Sequence, residues 1–193
     1  INESYPLSSH YDINCMAQLN RSLDYLNAYP IHEEILLAEA KIEKLKDEEK
    51  WGEAANLLEE AIEKQLYLNS EYRSSDLSDG LKLNALKLKQ IAYRSTPLFH
   101  QINDSENKAE ALVEKGDNLK AANFYEEAMR LQDKMNEMYP DSPYSSIDRM
   151  NDLTRKAQTS ASYDLGEMIN VLNFEIDREL RQRKILPAKS KIL

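Results

Sequence analysis

The 193-residue chain has a single cysteine, Cys15. One thiol excludes an internal disulfide framework and a thiolate zinc site. On an apolar helix stripe it reads as a small core residue. Glycine is nearly as scarce, and the four, at 52, 80, 116 and 166, are too scattered to cradle a phosphate. With only two valines, three threonines and six prolines, strands and tight turns are starved, while abundant leucine, alanine, glutamate and lysine favour helix. No run approaches the roughly 18 apolar residues of a membrane span, so membrane insertion is not expected. No basic–apolar–small leader opens the sequence at Ile1, which fits a cytosolic protein or one whose leader has been removed. An excess of bases is missing too: 25 Lys and Arg face 34 Asp and Glu, and a net charge of −9 argues against a nucleic-acid partner.

Charge is unevenly spread. Residues 1–76 hold 16 acids and 7 bases, whereas the tail from Arg178 to Lys191 holds six bases and one acid. That tail reads as a solvated helix end, with docking to an acidic partner as its other use.

Sliding the chain against itself by an offset of 67 brings unlike residue types into ungapped register. Ala54-Ala55-Asn56 falls on Ala121-Ala122-Asn123, Glu59-Glu60-Ala61 on Glu126-Glu127-Ala128, Leu45 on Leu112 and Pro30 on Pro97. A second slide gives agreement in three copies at Asn2/Asn69/Asn136, Tyr5/Tyr72/Tyr139, Ser8/Ser75/Ser142, Leu19/Leu86/Leu153 and Ile35/Ile102/Ile169. Low-complexity helical composition produces chance matches of Ala and Glu, but not of Asn, Tyr, Ser and Pro, so we read an internal repeat. The units run 1–67, 68–134 and 135–193, the last incomplete, within one helical-repeat domain over 1–193. Because Asn2, Tyr5 and Ser8 match a motif that elsewhere follows a long helix, the chain is expected to be a piece of something longer.

Each unit reads as three helices. The first, near 11–28, carries Ile13, Met16, Leu19, Leu23 and Leu26 on one face; its counterparts lie near 78–94 (Leu81, Ala85, Leu88, Ile91) and 146–161 (Ile147, Met150, Leu153, Ala157). Pro30, Pro97 and Asp164 are expected to break the chain there, proline in a first helical turn and aspartate as a cap. Second helices follow near 31–48, 98–115 and 165–184, with Ile35, Ile42 and Leu45, then Ile102, Ala109 and Leu112, then Ile169, Leu172 and Ile176 facing inward. Gly116-Asp117 closes the middle one. The longest helices, near 51–71 and 118–139, bury Trp51, Ala54, Ala55, Leu58, Ala61 and Ile62, and Leu119, Ala122, Tyr125, Ala128 and Met129; their alanines let neighbours approach closely. Between units, Asn-x-x-Tyr-x-x-Ser ends a long helix with tyrosine and offers serine as an approximate cap, Ser145 or Ser146 taking that part in the third unit. The expected fold is all-α, about eight antiparallel helices in three such units wound as a right-handed α–α superhelix.

The run Ala109-x-x-Leu112-x-x-x-Gly116-Asp117-x-x-x-Ala121-x-x-x-Tyr125-x-x-Ala128 resembles the heart of a tetratricopeptide repeat. The first copy keeps Leu45, Trp51, Ala54, Leu58 and Ala61. Tyr139 to Tyr144, echoed by Tyr5-Pro6-Leu7-Ser8, is similar to the inter-repeat turn of bacterial envelope tetratricopeptide proteins such as the barrel-assembly lipoprotein. The period of 67, the absent Trp and Leu-Gly of the first helix, and the lack of an anchoring N-terminal cysteine depart from that pattern. The resemblance implies a TPR-like solenoid that scaffolds a protein or peptide partner, in the periplasm or cell envelope rather than the cytoplasm.

Catalytic patterns are missing. His10, His32 and His100 form neither a His-Glu-x-x-His nor a Glu-x-x-His arrangement, and His32 and His100 read as solvated helix-start residues. Paired glutamates on a polar helix face stay solvated and make poor general acids. No enzyme activity, cofactor or metal is expected. The candidate binding residues are Asn56, Glu59 and Glu60 with Asn123, Glu126 and Glu127: asparagine to hold a docked backbone, glutamates to choose basic side chains. Their alternative use is bonding within the fold. The rival functions are a structural or oligomerisation domain, with homo-oligomer formation through exposed seams, and a helical ligand-binding or hydrolase domain.

Overall fold

A computed structural model of the chain describes residues 12–189. Asn2, Tyr5, Ser8 and His10 lie outside them. The described residues form five helices, α1 (Ile13–Asp47), α2 (Trp51–Glu71), α3 (Gly80–Glu114), α4 (Asn118–Met138) and α5 (Ile147–Lys189), and no strand. The protein is all-α as expected, but the described residues make five helices in place of eight. Pro30 and Pro97 stand inside α1 and α3, and Asp164 inside α5, so each expected break is bridged. An interior proline forfeits one backbone hydrogen bond, a loss that a long helix held by neighbours on either side of the proline tolerates. Near Pro97, Ser95 and Thr96 turn their hydroxyls back to the Ala92 carbonyl, at 2.9 and 2.8 Å.

Helix starts recur with the sequence offset of 67: Ile13, Gly80 and Ile147 open α1, α3 and α5, and Trp51 and Asn118 open α2 and α4. The stops recur as well. After α3, Gly116 adopts φ +78° and the Gly116 and Asp117 amides close onto the carbonyls of Val113 and Leu112, a Schellman stop. After α1 the same bonds run from Glu49 and Lys50 to Lys46 and Leu45, with Glu49 itself at φ +58°. The short link from Glu48 to Lys50 makes α1 and α2 antiparallel neighbours, tied by Lys64 and Glu34 at 2.6 Å.

Packing divides the chain into two compact units. Among the described residues, the first takes in 12–97 with Asp141–Tyr144, and the second Leu98–Pro140 with 145–189. In the first, Ile35, Ile42, Ala54, Ala55, Leu58, Ala61 and Leu68 form the core with Leu86 and Tyr93 of α3, and Trp51 meets Tyr93 edge to face at 5.4 Å. Ser95 reaches Ser142 at 2.8 Å, which ties the 141–144 segment to this unit. In the second, Ile102, Ala109, Ala121, Ala122, Tyr125, Ala128, Met135, Leu153 and Ala157 are buried.

Several expected core faces are corrected. Ile13, Leu19, Leu23 and Leu26 are exposed, as are Leu81, Leu88, Leu119 and Ile147, and Cys15 is exposed with them. On α5 the expected Leu153 and Ala157 are buried, together with Ser160, whereas on α3 the buried face follows Leu86 and Tyr93 in place of Leu81 and Leu88. Ile169 and Ile176 are exposed although their counterparts Ile35, Ile42, Ile102 and Ala109 are fully buried, and Leu172 is exposed where Ala38 and Ser105 are buried. Periodicity gives a helix its stripe; it does not supply the neighbour that covers it.

Candidate functional site

The Asn-x-x-Tyr-x-x-Ser segment has a structural job at both described copies. Asn69 Oδ1 accepts from Gln65 Nε2 and from the Asp79 amide, both at 2.9 Å, while its Nδ2 donates to the Asp79 carbonyl at 3.2 Å. Asn136 does the same with Gln132, the Ser146 amide (2.8 Å) and the Ser146 carbonyl (3.3 Å), and takes a further bond from Ser145. Each asparagine thus fastens the end of one helix to the start of the next. Tyr72 and Tyr139 are the C-cap residues of α2 and α4. Ser75 and Ser142 are buried and each accepts the amide two positions on, at 3.1 Å. They stabilise the turn rather than cap a helix. The helix caps stand further along, at Asp12, Asp79 and Ser146, whose side-chain oxygens accept amides of the first turn.

All six candidate binding residues are exposed on α2 and α4, one set in each unit. Glu59 is engaged within the fold, accepting from Arg94 Nη2 at 2.6 Å. Glu60 lines a shallow groove of about 180 Å³ between α1 and α2, with Leu37, Ala38 and Leu57 as its apolar floor and Glu34, Lys41 and Lys64 around its rim. That volume is below the ~300 Å³ at which small-molecule sites begin; it suits one or two side chains of a docked segment. At the corresponding register of the second unit, Lys108 lies 5.9 Å from the centre of the Phe124 ring. Asn56, Asn123, Glu126 and Glu127 remain on the open faces of their helices.

A second feature was missed in the sequence. On the seam between α1 and α3, Glu39 pairs with Lys82 at 3.1 Å and Glu43 with Lys89. Between α3 and α5, Glu106 takes Arg149 at 2.8 Å and Lys156 at 2.7 Å, and Glu110 takes Lys156 at 3.2 Å. The four positions are related by the same offset of 67, with Arg149 in place of Lys82. Burial pushes the Glu106 carboxyl up, but hydrogen bonds from Lys156 and Arg149 outweigh it and hold the carboxyl below its ordinary range. Glu106 in turn holds the Lys156 ammonium well above the usual lysine value against the opposing effect of burial. The signal was present in the chain, since Glu39/Glu106, Glu43/Glu110 and Lys89/Lys156 match outright.

His32, expected to be solvated at a helix start, is half-buried inside α1, and its Nδ1 is shielded from water without a hydrogen-bond partner. Burial, then the nearby Lys82 ammonium, lowers its pKa. His100 is exposed in α3 beside Phe99. Among the described residues no group of three or more His, Cys, Asp or Glu is arranged to hold a metal ion, and no helix is long and apolar enough to cross a membrane. In comparisons with known proteins, no family model matches the chain, and no curated protein or solved structure matches it.

Proposed function

We propose that the protein is a non-catalytic, tetratricopeptide-like helical-repeat scaffold that docks a protein or peptide partner, acting in bacterial envelope assembly. The observation that supports this reading best is the α1–α2 groove: an apolar floor of Leu37, Ala38 and Leu57, open to solvent and ringed by charge. It lies on a hairpin whose helix starts and stops recur in α3 and α4. A docked helix or extended segment would place apolar side chains on that floor, while Glu34, Glu60 and the acidic 1–76 stretch steer basic flanks toward it. Glu59 contributes less, being paired with Arg94.

The test is affinity selection of short peptides on the folded chain, followed by fluorescence anisotropy. Selected peptides are expected to carry an apolar pair flanked by Lys or Arg. Leu57→Asp and Glu60→Lys should each weaken them at least tenfold, about 1.4 kcal/mol, and added salt should weaken them further. Selected peptides that bind both variants as tightly as the parent chain would refute the groove as the docking site.

A further inference from the structure

One place in the repeat is filled in the first unit and hollow in the second. In the first, Trp51, the opening residue of α2, meets the ring of Tyr93 on α3 edge to face at 5.4 Å. Advancing this pair by the repeat offset gives Asn118, the opening residue of α4, and Ser160 on α5. Both rings are lost, and a cavity of about 490 Å³ stands there, lined by Val113, Gly116, Asn118, Thr159, Ser160 and Tyr163. All six belong to the second unit, as Trp51 and Tyr93 belong to the first. The hollow comes from the side chains and not from a looser frame, because Ser160 is 7% exposed and Tyr93 8%. Its volume lies within the roughly 300–1,000 Å³ of ligand sites. Thr159 already donates its hydroxyl to the Arg155 carbonyl at 2.8 Å. The side chains of Asn118 and Ser160 have no hydrogen-bond partner among the described residues, although Ser160 is more than nine-tenths buried. A buried hydroxyl ordinarily finds such a partner.

We propose that this cavity is the anchor site for one tryptophan side chain of a partner polypeptide, which supplies to the second unit the ring that Trp51 supplies to the first. Val113 and Tyr163, 42% and 66% exposed, present apolar surface to the faces of an indole, and the oxygens of Asn118 and Ser160 accept from its N–H. None of the six lining residues is charged. The cavity therefore offers nothing to the carboxylate and ammonium of a free amino acid, and it favours a ring carried on a neutral peptide backbone. A tryptophan seated in such a pocket is the kind of residue that dominates an interface. The inference rests on the reading of the protein as a partner-docking scaffold, but it uses none of the residues of the α1–α2 groove.

The test is titration of the isotope-labelled chain with N-acetyl-tryptophanamide, followed by amide NMR. The amides of Gly116, Asn118, Thr159 and Ser160 are expected to shift saturably, with N-acetyl-leucinamide and free tryptophan binding at least tenfold more weakly. The double variant Asn118→Trp/Ser160→Tyr rebuilds the pair of the first unit, and should lose the binding at least tenfold while keeping the helix content of the parent by circular dichroism. Asn118→Trp alone, at a half-buried position, should lose it as well, which covers a double variant that fails to fold. Leu57→Asp and Glu60→Lys should leave ring binding unchanged, so failure of the groove and failure of this site are separate results. No saturable shift at the four amides, or equal binding of the leucine and tryptophan amides, would overturn the proposal. So would parent-like binding by a folded Asn118→Trp chain, which would place the ring elsewhere. Free tryptophan binding more tightly than its neutral amide would overturn it in favour of a small-molecule site.

Discussion

Replacing Asn69 or Asn136 by alanine removes the junction that fastens one helix to the next. Asn69 makes three hydrogen bonds, and its loss strands the Asp79 amide, while Gln65 Nε2 keeps its second acceptor, the Leu77 carbonyl at 3.0 Å. At about 0.5–1.5 kcal/mol for each neutral bond, the cost is about 2–4 kcal/mol. Asn136 makes four bonds, to Gln132, Ser145 and Ser146, so its replacement should cost at least as much. Asparagine-to-aspartate variants keep the acceptor but lose the donor to the carbonyl of Asp79 or Ser146, and should fall between parent and alanine. Urea unfolding followed by circular dichroism gives the midpoint and slope, and amide hydrogen exchange at Asp79 and Ser146 reports the junction itself. If both alanine variants kept the parent's stability within about 0.5 kcal/mol, and the two amides stayed protected, the junction would contribute no stability and the recurring spacing would need another explanation.

Three further outcomes follow from particular residues. Glu49→Gly should stabilise the α1–α2 hairpin by about 0.5–1 kcal/mol, because it relieves a left-handed non-glycine residue at φ +58° at some cost in unfolded-chain entropy; a lower midpoint would contradict this. Glu106→Gln should cost about 1–3 kcal/mol, since Arg149 retains Asn103 and Lys156 retains Glu110. The lowered Glu106 pKa also means that its contribution is complete above about 4.5 and is lost as pH falls through the lower folded value, so the parent and the Gln variant should converge in stability in acid. His32 has a lowered pKa, so the unfolded chain takes up its proton first: the folded state is unpenalised above about 6.5 and loses stability as pH drops below it. His32→Gln should show a smaller loss than the parent between neutral and mildly acidic pH by urea midpoint, and equal losses would rule out this role.

The long second hairpin helices were legible in the sequence almost to the residue, because Ala54, Ala55, Leu58 and Ala61 and their copies combine a helical stripe with flanking stop signals. The Asn-Tyr-Ser spacing was legible as a turn, but Asn69 was not legible as its centre, since its partners at Asp79 are backbone groups that carry no side-chain signature. Pro30 and Pro97 were misread as helix starts: proline fits a first turn and an interior supported by neighbours equally well from sequence, and only the packing of α1 and α3 separates the two. Of the candidate site, Glu60 gained an apolar floor from Leu37 on the preceding helix, whereas Glu59 is held by Arg94, a choice set by where α3 lies beside α2.

The repeated ladder of Glu39, Glu43, Lys82 and Lys89 on one seam, and Glu106, Glu110, Arg149 and Lys156 on the other, gives the fold interchangeable joints. The stretch 80–146 carries a receiving edge at one end and a donating edge at the other, so a tandem duplication of it would present Glu106 and Glu110 to a new Lys82 and Lys89. Lineages can therefore lengthen or shorten such a protein by whole blocks without redesigning any joint, whereas a gain or loss of any other length would put the acids out of step with their cations.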